Sequence, residues 1–158
     1  MIYLGCDPGK HGGLAAIDAE TCTITSSVMP LRGGEVDAHA IGAWVWGLAL
    51  KNDGHAVACV EKVHAMPKQG VSSTFTFGVG YGKILGVLGA LGIRTELVTP
   101  QAWKSKVLAG SLKDKDAAVA WCRRAYPALQ LVPEGCRVPH DGIADAACIA
   151  EFARRTYQ

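Results

Sequence analysis

The order of the predicted elements indicates an α/β or α+β domain with one mixed β-sheet flanked by α-helices. Short apolar or β-branched runs dominate the first third of the chain, and strands alternate with helical segments after it. The chain has 158 residues, of which 49% are hydrophobic, and this supplies enough apolar surface for one buried core. We therefore predict a single domain over residues 1–158 whose sheet has five strands.

Three strands are predicted before residue 30. Residues 2–6 form an apolar run that ends at Asp7 and a glycine-rich turn, which is typical of a buried strand entering a hairpin. Residues 14–17 form the return strand. Residues 23–29 are rich in β-branched side chains and are predicted to be a third strand at the sheet edge.

The middle of the chain alternates between helix and strand. Asp37 can cap a helix in which Ile41, Trp44, Val45 and Leu48 recur at the spacing of one helical face. Residues 56–60 are a second continuous apolar run, too short for a typical helix, and they are predicted to form a central strand that ends in the acid at position 61. Residues 95–98 are predicted to be the last strand.

A long helix is predicted from Ser72 or Ser73 to about residue 91. Gly78, Gly82 and Gly86 fall at i, i+4 and i+8 and form a glycine stripe along one face. Glycine costs roughly 1 kcal/mol relative to alanine inside a helix, so three on one side indicate close approach of another backbone. The stripe is interpreted either as a tightly packed core helix or as a dimer interface, whereas its polar flanks disfavour a membrane helix.

Three more helices are predicted in the last third of the chain. Thr99-Pro100 is a cap followed by proline, which is typical of a helix start. A further helix spans residues 114–125 and ends near Pro127, and a last helix spans residues 141–156.

Composition limits the possible environments and partners. Charged residues make up 19% of the chain and the net charge is +2, so a nucleic-acid surface would have to be a local basic patch. The six cysteines form no C-x-x-C pair and mostly lie in apolar runs, which favours a reducing compartment. No signal-like segment or long apolar run is evident, and the expected location is the cytoplasm.

Four acids are candidate catalytic and metal-binding residues. Asp7 and Glu61 each follow a five-residue apolar run, and Asp141 and Asp145 are four apart on one face of the last helix. Carboxylates are the ligands that Mg²⁺ or Mn²⁺ prefers, and a pair of such ions can activate water and stabilise a leaving oxygen in phosphodiester hydrolysis. Individually, Asp7 could be a turn residue, Glu61 a salt-bridge partner and Asp141 a helix cap. His140 could be a ligand, a base or a loop residue.

Together these motifs resemble the RuvC-type Holliday junction resolvases, especially their phage and poxvirus branch. The motifs are residues 2–9 (IYLGCDPG), 60–63 (VEKV) and 140–146 (HDGIADA), and residues 69–78 (QGVSSTFTFG) and 99–104 (TPQAWK) add to the likeness. The resemblance covers nearly the whole chain. It implies an RNase H-like fold and a Mg²⁺-dependent endonuclease with two ions per active site, for which Mn²⁺ can substitute. It also implies a homodimer with the long helix in its interface, in which each subunit cuts one strand of branched DNA. If the protein is phage-encoded, its expected location is the host cytoplasm.

The sequence departs from the bacterial members in two places. His64 stands where those members carry an aromatic residue that stacks on bases at the junction centre, and Phe75 or Phe77 is the alternative for that role. The last two acids are spaced by four rather than three, which leaves both His140 and Asp141 as candidates for the fourth ligand.

Basic and aromatic residues near these motifs are candidates for DNA binding. Phosphate contacts by such side chains are independent of base sequence and weaken with salt. Trp103 and Trp121 are predicted to fill the core or an interface, with base stacking by Trp103 as an alternative. The predicted DNA-binding residues are Lys10, Lys62, His64, Lys68, Lys104, Lys106, Lys113 and Lys115.

Two functions from other classes compete with a resolvase. Actin-like ATPases and sugar kinases also open with a strand, an acid and a glycine-rich hairpin, but they usually need two such domains. A non-catalytic junction-binding protein would not need the four acids. Within the nuclease class, a broader debranching enzyme that acts on forks and flaps is the alternative.

Overall fold

A computed structural model describes residues 1–49, 55–64, 70–110 and 116–158 of the protein. The elements lie in chain order within these ranges. The strands are β1 (Ile2–Asp7), β2 (Gly13–Asp18), β3 (Ile24–Val28), β4 (Leu31–Arg32), β5 (Glu35–Val36), β6 (Ala56–Glu61) and β7 (Arg94–Val98). The helices are α1 (Ala38–Ala49), α2 (Val71–Ala90), α3 (Pro100–Val107), α4 (Ala117–Ala125) and α5 (Asp141–Thr156).

The main sheet has five strands in the order β3-β2-β1-β6-β7. The first three pair antiparallel, because tight connections join them, whereas β6 and β7 follow helical crossovers and pair parallel with their neighbours. The predicted five-stranded mixed sheet flanked by helices is therefore confirmed, including the edge position of β3.

Two apolar layers cover the sheet. On one face, β1 and β6 contribute Tyr3, Val57 and Cys59 to a core shared with α3, α4 and α5. On the other face, Leu4 and Val60 pack with α1 and α2. The alternation of side chains along each strand explains the division, because neighbouring residues point to opposite faces.

Most predicted helix starts agree with the structure. Asp37 Oδ1 accepts hydrogen bonds from the backbone of His39 and Ala40 at 3.0 and 3.2 Å, and Thr99 caps α3 ahead of Pro100. The long helix begins at Val71, one residue before the first of the two predicted starts. Gly70 occupies the cap position of α2 without a side-chain hydrogen bond, and both serines lie inside the first turn.

One helix boundary in the last third differs from the prediction. The helix predicted to begin at residue 114 begins at Ala117, and residues 111–115 lie outside the described part of the chain. Trp103 is fully buried, so the alternative of base stacking by this residue is wrong. Four of the six cysteines are buried, as their apolar surroundings predicted, and Cys22 and Cys136 are exposed.

A two-stranded hairpin, β4–β5, was not predicted because each strand has only two residues. Lys83 on α2 holds it in place, since its Nζ donates to Glu35 Oε2 at 2.9 Å and to the Val36 carbonyl at 3.2 Å. Gly80 lets Val36 of the hairpin pack closely against α2, because a Cβ at position 80 would lie 2.9 Å from Val36 Cγ2.

The glycine stripe does not pack against the core of its own chain. Gly78, Gly82 and Gly86 are exposed, and a Cβ built on any of them would meet nothing within 4 Å. The interpretation of the stripe as a core contact is therefore wrong. Among the described residues, no helix is long and apolar enough to cross a membrane.

Candidate active site

Two of the predicted acids lie side by side on the same face of the sheet. Tyr3, Gly5 and Asp7 alternate along β1 toward the α5 side, and Glu61 ends β6 two residues after Cys59, which faces the same way. The parallel register pairs residue 5 with residue 59, so positions 7 and 61 are neighbours at the carboxyl ends of the two strands. The prediction that these acids meet at one end of the sheet is confirmed.

Glycines allow α5 to approach this sheet end at backbone distance. A Cβ on Gly5 would clash with the Ala146 carbonyl, and one on Gly13 would lie 2.8 Å from the Gly142 carbonyl. A Cβ on Gly142 would in turn lie 2.5 Å from Gly12 Cα. The helix therefore rests directly on the β1–β2 hairpin, and this contact sets the position of its acids.

Asp145 lies in a strongly acidic environment. Burial raises its pKa to about 7, with further increases from the charges of Asp7, Glu61 and Asp141, while Lys104 opposes them. These electrostatic couplings mean that Asp7 and Glu61, which are distant in sequence, lie close enough to act on Asp145, as does Asp141 on the same helix.

The pKa of Asp7 is raised by burial and by a neighbouring acid, as is that of Asp145. Burial raises its pKa to about 6, and the charge of Glu61 adds to this effect. The backbone N–H of Gly9, which donates to Asp7 Oδ1 at 3.4 Å, and the ammonium of Lys104 both act in the opposite direction. Both carboxylates are thus costly to keep charged without a cation.

Glu61 is held by a buried side chain. The indole Nε1 of Trp103 donates to Glu61 Oε2 at 2.7 Å. The arrangement follows from the fold, because β7 pairs with β6 beside Glu61 and α3 begins directly after β7, so its first turn lies over the end of β6. Sequence reasoning missed this contact, since the two residues are 42 positions apart.

His140 and Asp141, at the beginning of α5, have different surroundings. His140 is the N-cap, and its Nδ1 accepts from the backbone N–H of Ile143 at 3.3 Å, so the alternative that Asp141 caps the helix is wrong. In a neutral ring this arrangement leaves the proton on Nε2, which then donates rather than coordinates. Asp141 is exposed in the first turn, and the tightly packed Gly142 occupies the position three residues before Asp145.

The acids adjoin one another without forming a closed metal shell. Among the described residues, no three histidine, cysteine, aspartate or glutamate side chains gather into a ready-made metal cluster. The ion pairs found in the same parts of the chain also do not include Asp7, Glu61, Asp141 or Asp145. The site therefore consists of partly buried, mutually repelling carboxylates, a donor set that fits a hard divalent cation.

The predicted basic residues have different surroundings. Lys10, Lys62, His64 and Lys104 are exposed, and Lys104 Nζ lies 5.0 Å from the centre of the Trp103 ring. Lys68, Lys113 and Lys115 lie outside the described residues.

Lys106 already has partners at the far end of α5. Its Nζ donates to the Arg155 carbonyl at 3.2 Å and to Thr156 Oγ1 at 2.8 Å, and Arg155 Nη1 donates back to the Lys106 carbonyl at 3.1 Å. These contacts satisfy carbonyl groups at the helix terminus. Of the described lysines predicted to bind DNA, Lys106 is the one engaged in such a contact.

A cavity of about 530 Å³ adjoins Glu61. It lies at the carboxyl end of β6, where the chain continues toward α2 and where α3 begins. Charged, polar and apolar residues line it: Glu61, Lys62, Val63, His64, Phe77, Thr99, Pro100 and Gln101.

The fold is the RNase H-like fold of the RuvC-type Holliday junction resolvases. The structure of Thermus thermophilus RuvC matches with a TM-score of 0.66 and 21% identity over 98% of this chain and 96% of that one. T. thermophilus RuvC in complex with Holliday junction substrate matches with a TM-score of 0.64 and 17% identity over 96% and 92%.

A third solved structure is the yeast mitochondrial Holliday junction resolvase Ydc2. It matches with a TM-score of 0.59 and 13% identity over 96% of this chain and 77% of that one. No family model and no curated protein matches the sequence. These similarities show a shared fold, whereas the resemblance to the phage and poxvirus branch stays a prediction.

Proposed function

We propose that the protein is a Mg²⁺-dependent, structure-selective DNA endonuclease that resolves Holliday junctions or related branched DNA by paired symmetric nicks. The observation that carries the proposal is the convergence of Asp7, Glu61 and Asp145 at one end of the sheet, where burial and mutual repulsion raise the pKa values of both aspartates. Buried acids that are only structural are normally paired with a cationic side chain, and none of the described ion pairs includes these three acids.

Asp7, Glu61 and Asp145 would hold the cations, with Asp141 as the fourth ligand. His140 is the weaker candidate for the fourth position, because its Nδ1 already accepts a hydrogen bond from the helix backbone. When bound, Mg²⁺ supplies activation of water and stabilisation of the leaving 3′ oxygen. The carboxylates orient this chemistry, and the close packing of α5 on β1 keeps their spacing constant.

The substrate is inferred from the fold together with the surface. One solved structure of the same fold is that of T. thermophilus RuvC in complex with Holliday junction substrate, and this supports branched DNA as the substrate class. Around the acids, Lys10, Lys62 and Lys104 are exposed and can contact phosphates without reading bases. His64 borders the cavity beside Glu61 and is the candidate for contact with unpaired bases at the branch.

Paired nicks require two active sites, and α2 is the candidate dimer interface. Besides the glycine stripe, α2 exposes Val71 and Phe75, whose exposed fractions are 87% and 72%. Apolar side chains beside small residues form a surface that suits close contact with a second copy of the same helix. In the proposed homodimer each subunit cuts one strand.

The test is a cleavage assay with purified protein, Mg²⁺ and a labelled four-way junction. We expect symmetric nicks in two opposing strands, and no cleavage in EDTA. Tight binding without nicks would identify a non-catalytic junction-binding protein. Faster cleavage of forks and flaps than of four-way junctions would identify a broader debranching nuclease.

A further inference from the structure

We propose that Trp103 is a positioning residue that holds Glu61 in one orientation and presents its second oxygen to the bound cation. This inference rests on the proposed function, because it assumes that Glu61 is a metal ligand. Trp103 has no exposed surface, and its Nε1 lies 2.7 Å from Glu61 Oε2, at the short end of the range for hydrogen bonds to a carboxylate.

The chemistry of the donor suits this role. An indole N–H donates one hydrogen bond and carries no positive charge, so it restrains the carboxylate without neutralising it. A lysine or arginine in the same place would compete with a divalent cation for the carboxylate. In the described part of the chain, Glu61 Oε1 has no hydrogen-bond partner, and it remains available as a ligand.

Glu61 needs such a restraint more than the aspartates do. Its longer side chain has one more rotatable bond, and more rotamers must therefore be excluded before the carboxylate is in place. Asp7 has a shorter side chain and a backbone contact to Gly9, and Asp145 is fixed by the close packing of α5. The indole is the one side-chain donor that reaches any of these three acids among the described residues.

The same indole also positions a charge. Lys104 Nζ lies 5.0 Å from the centre of the Trp103 ring, and its ammonium acts electrostatically on both Asp7 and Asp145. The ring face attracts the ammonium. Trp103 thus holds Glu61 at its edge and Lys104 at its face, which keeps the lysine near the acids without an ion pair to Glu61.

The first test is Trp103→Phe, which keeps most of the ring volume and removes the N–H. We expect the Mg²⁺ concentration for half-maximal cleavage to rise by about tenfold or more, because loss of a group that orients a ligand weakens metal binding by roughly 10- to 100-fold. Trp121→Phe is the matched control, since Trp121 is buried in the same core without contacting the acids. Equal Mg²⁺ dependence of the two variants would overturn the inference.

A second measurement depends neither on cleavage nor on a replacement of Trp103. The chain has four tryptophans, and their indole N–H signals can be followed by ¹⁵N NMR. The Trp103 signal, assigned through its contacts within α3, should shift upfield in Glu61→Gln and should move when Mg²⁺ is added to the wild-type protein, while the Trp121 signal stays in place. A Trp103 signal that responds to neither change would overturn the inference even where Trp103→Phe does not fold.

The proposed function and the positioning role of Trp103 can be tested separately. Cleavage by Glu61→Gln at nearly the wild-type rate would remove the proposed role of Glu61 and with it the metal site. Loss of cleavage in Glu61→Gln, together with wild-type Mg²⁺ dependence in Trp103→Phe, would leave the proposed function intact and reject only the positioning role.

Discussion

The two ends of α5 hold acidic side chains in opposite ways. Near its carboxyl end, Glu151 is 3% exposed and accepts hydrogen bonds from Arg154, Arg155 and Tyr126 at 2.7–2.8 Å, which hold its pKa below the ordinary value despite burial. Near the amino end, Asp145 faces other acids and its pKa is raised to about 7.

This difference separates a structural acid from a functional one. The charge of Glu151 is compensated within the chain, so its carboxylate contributes to folding. The charge of Asp145 has no such compensation among the described ion pairs, so the folded protein carries an electrostatic cost that a bound cation would remove. A buried acid that its own fold leaves uncompensated is the stronger candidate for a ligand site.

The largest expected effect is loss of cleavage when one of the uncompensated acids is replaced. Asp7→Asn keeps the shape of the side chain and removes its charge, and cleavage in Mg²⁺ should fall by about 10³-fold or more. Junction affinity, measured by gel shift in Ca²⁺ or EDTA, should persist or increase because repulsion of phosphate is relieved. Glu134→Gln, which alters an exposed acid in the loop before α5, should behave as wild type.

The next largest effect is expected on the free energy of unfolding when the compensated acid, Glu151, loses its charge. Glu151→Gln should lower the free energy of unfolding by about 2–4 kcal/mol, because two guanidinium groups and a tyrosine hydroxyl lose a charged partner. Urea denaturation measures this change. The Mg²⁺ dependence of cleavage by the remaining folded protein should stay unchanged, and a shift would mean that the two ends of the helix are not independent.

The oligomeric state should change when a bulky side chain is added to the exposed face of α2. Gly82→Leu adds a bulky side chain to the exposed glycine stripe, where a second subunit is proposed to pack. Sedimentation should therefore show a shift from dimer to monomer. Gly47→Leu on α1 is the control, because a Cβ there also meets nothing within 4 Å. A dimer that persists in Gly82→Leu would mean that subunits associate through another surface.

A smaller effect is expected on the stability of the metal-free protein. The folded protein holds a proton on Asp145 up to about pH 7, whereas the unfolded chain releases it near the ordinary value of 3.8. Stability should therefore fall as pH rises from about 4 to 7, and the full cost should be present above pH 7. The full shift corresponds to roughly 4 kcal/mol, but asparagine buries an amide that also loses hydrogen bonds to water. Asp145→Asn should therefore raise stability in EDTA at pH 8 by only about 1–2 kcal/mol, and by less at pH 5.5. Thermal unfolding tests this, and an equal gain at both pH values would contradict it.

The fold was largely predictable because local signals agreed with it. Apolar runs bounded by turns indicated β1 and β6, and the acids at their ends followed from the same pattern. The interpretation of the glycine stripe as a core contact was wrong, because the spacing of glycines along one helix face does not show what that face packs against.

The parts of the site that were missed depend on contacts between distant elements. No local pattern relates Trp103 to Glu61, because their contact arises only when β7 pairs with β6. The close packing at Gly142 requires the β1–β2 hairpin opposite, and the engagement of Lys106 requires the end of α5. In each case the residue type was visible in the sequence and its partner was not.

Calorimetric titration with Mn²⁺ in the absence of DNA tests most directly whether the uncompensated acids bind a divalent cation. The wild-type protein and Glu134→Gln should bind Mn²⁺ with similar affinity, and Asp145→Asn should bind at least about tenfold more weakly because a charged ligand is lost. Equal Mn²⁺ affinity in Asp145→Asn and the wild type would contradict the account and would make Asp145 a structural residue.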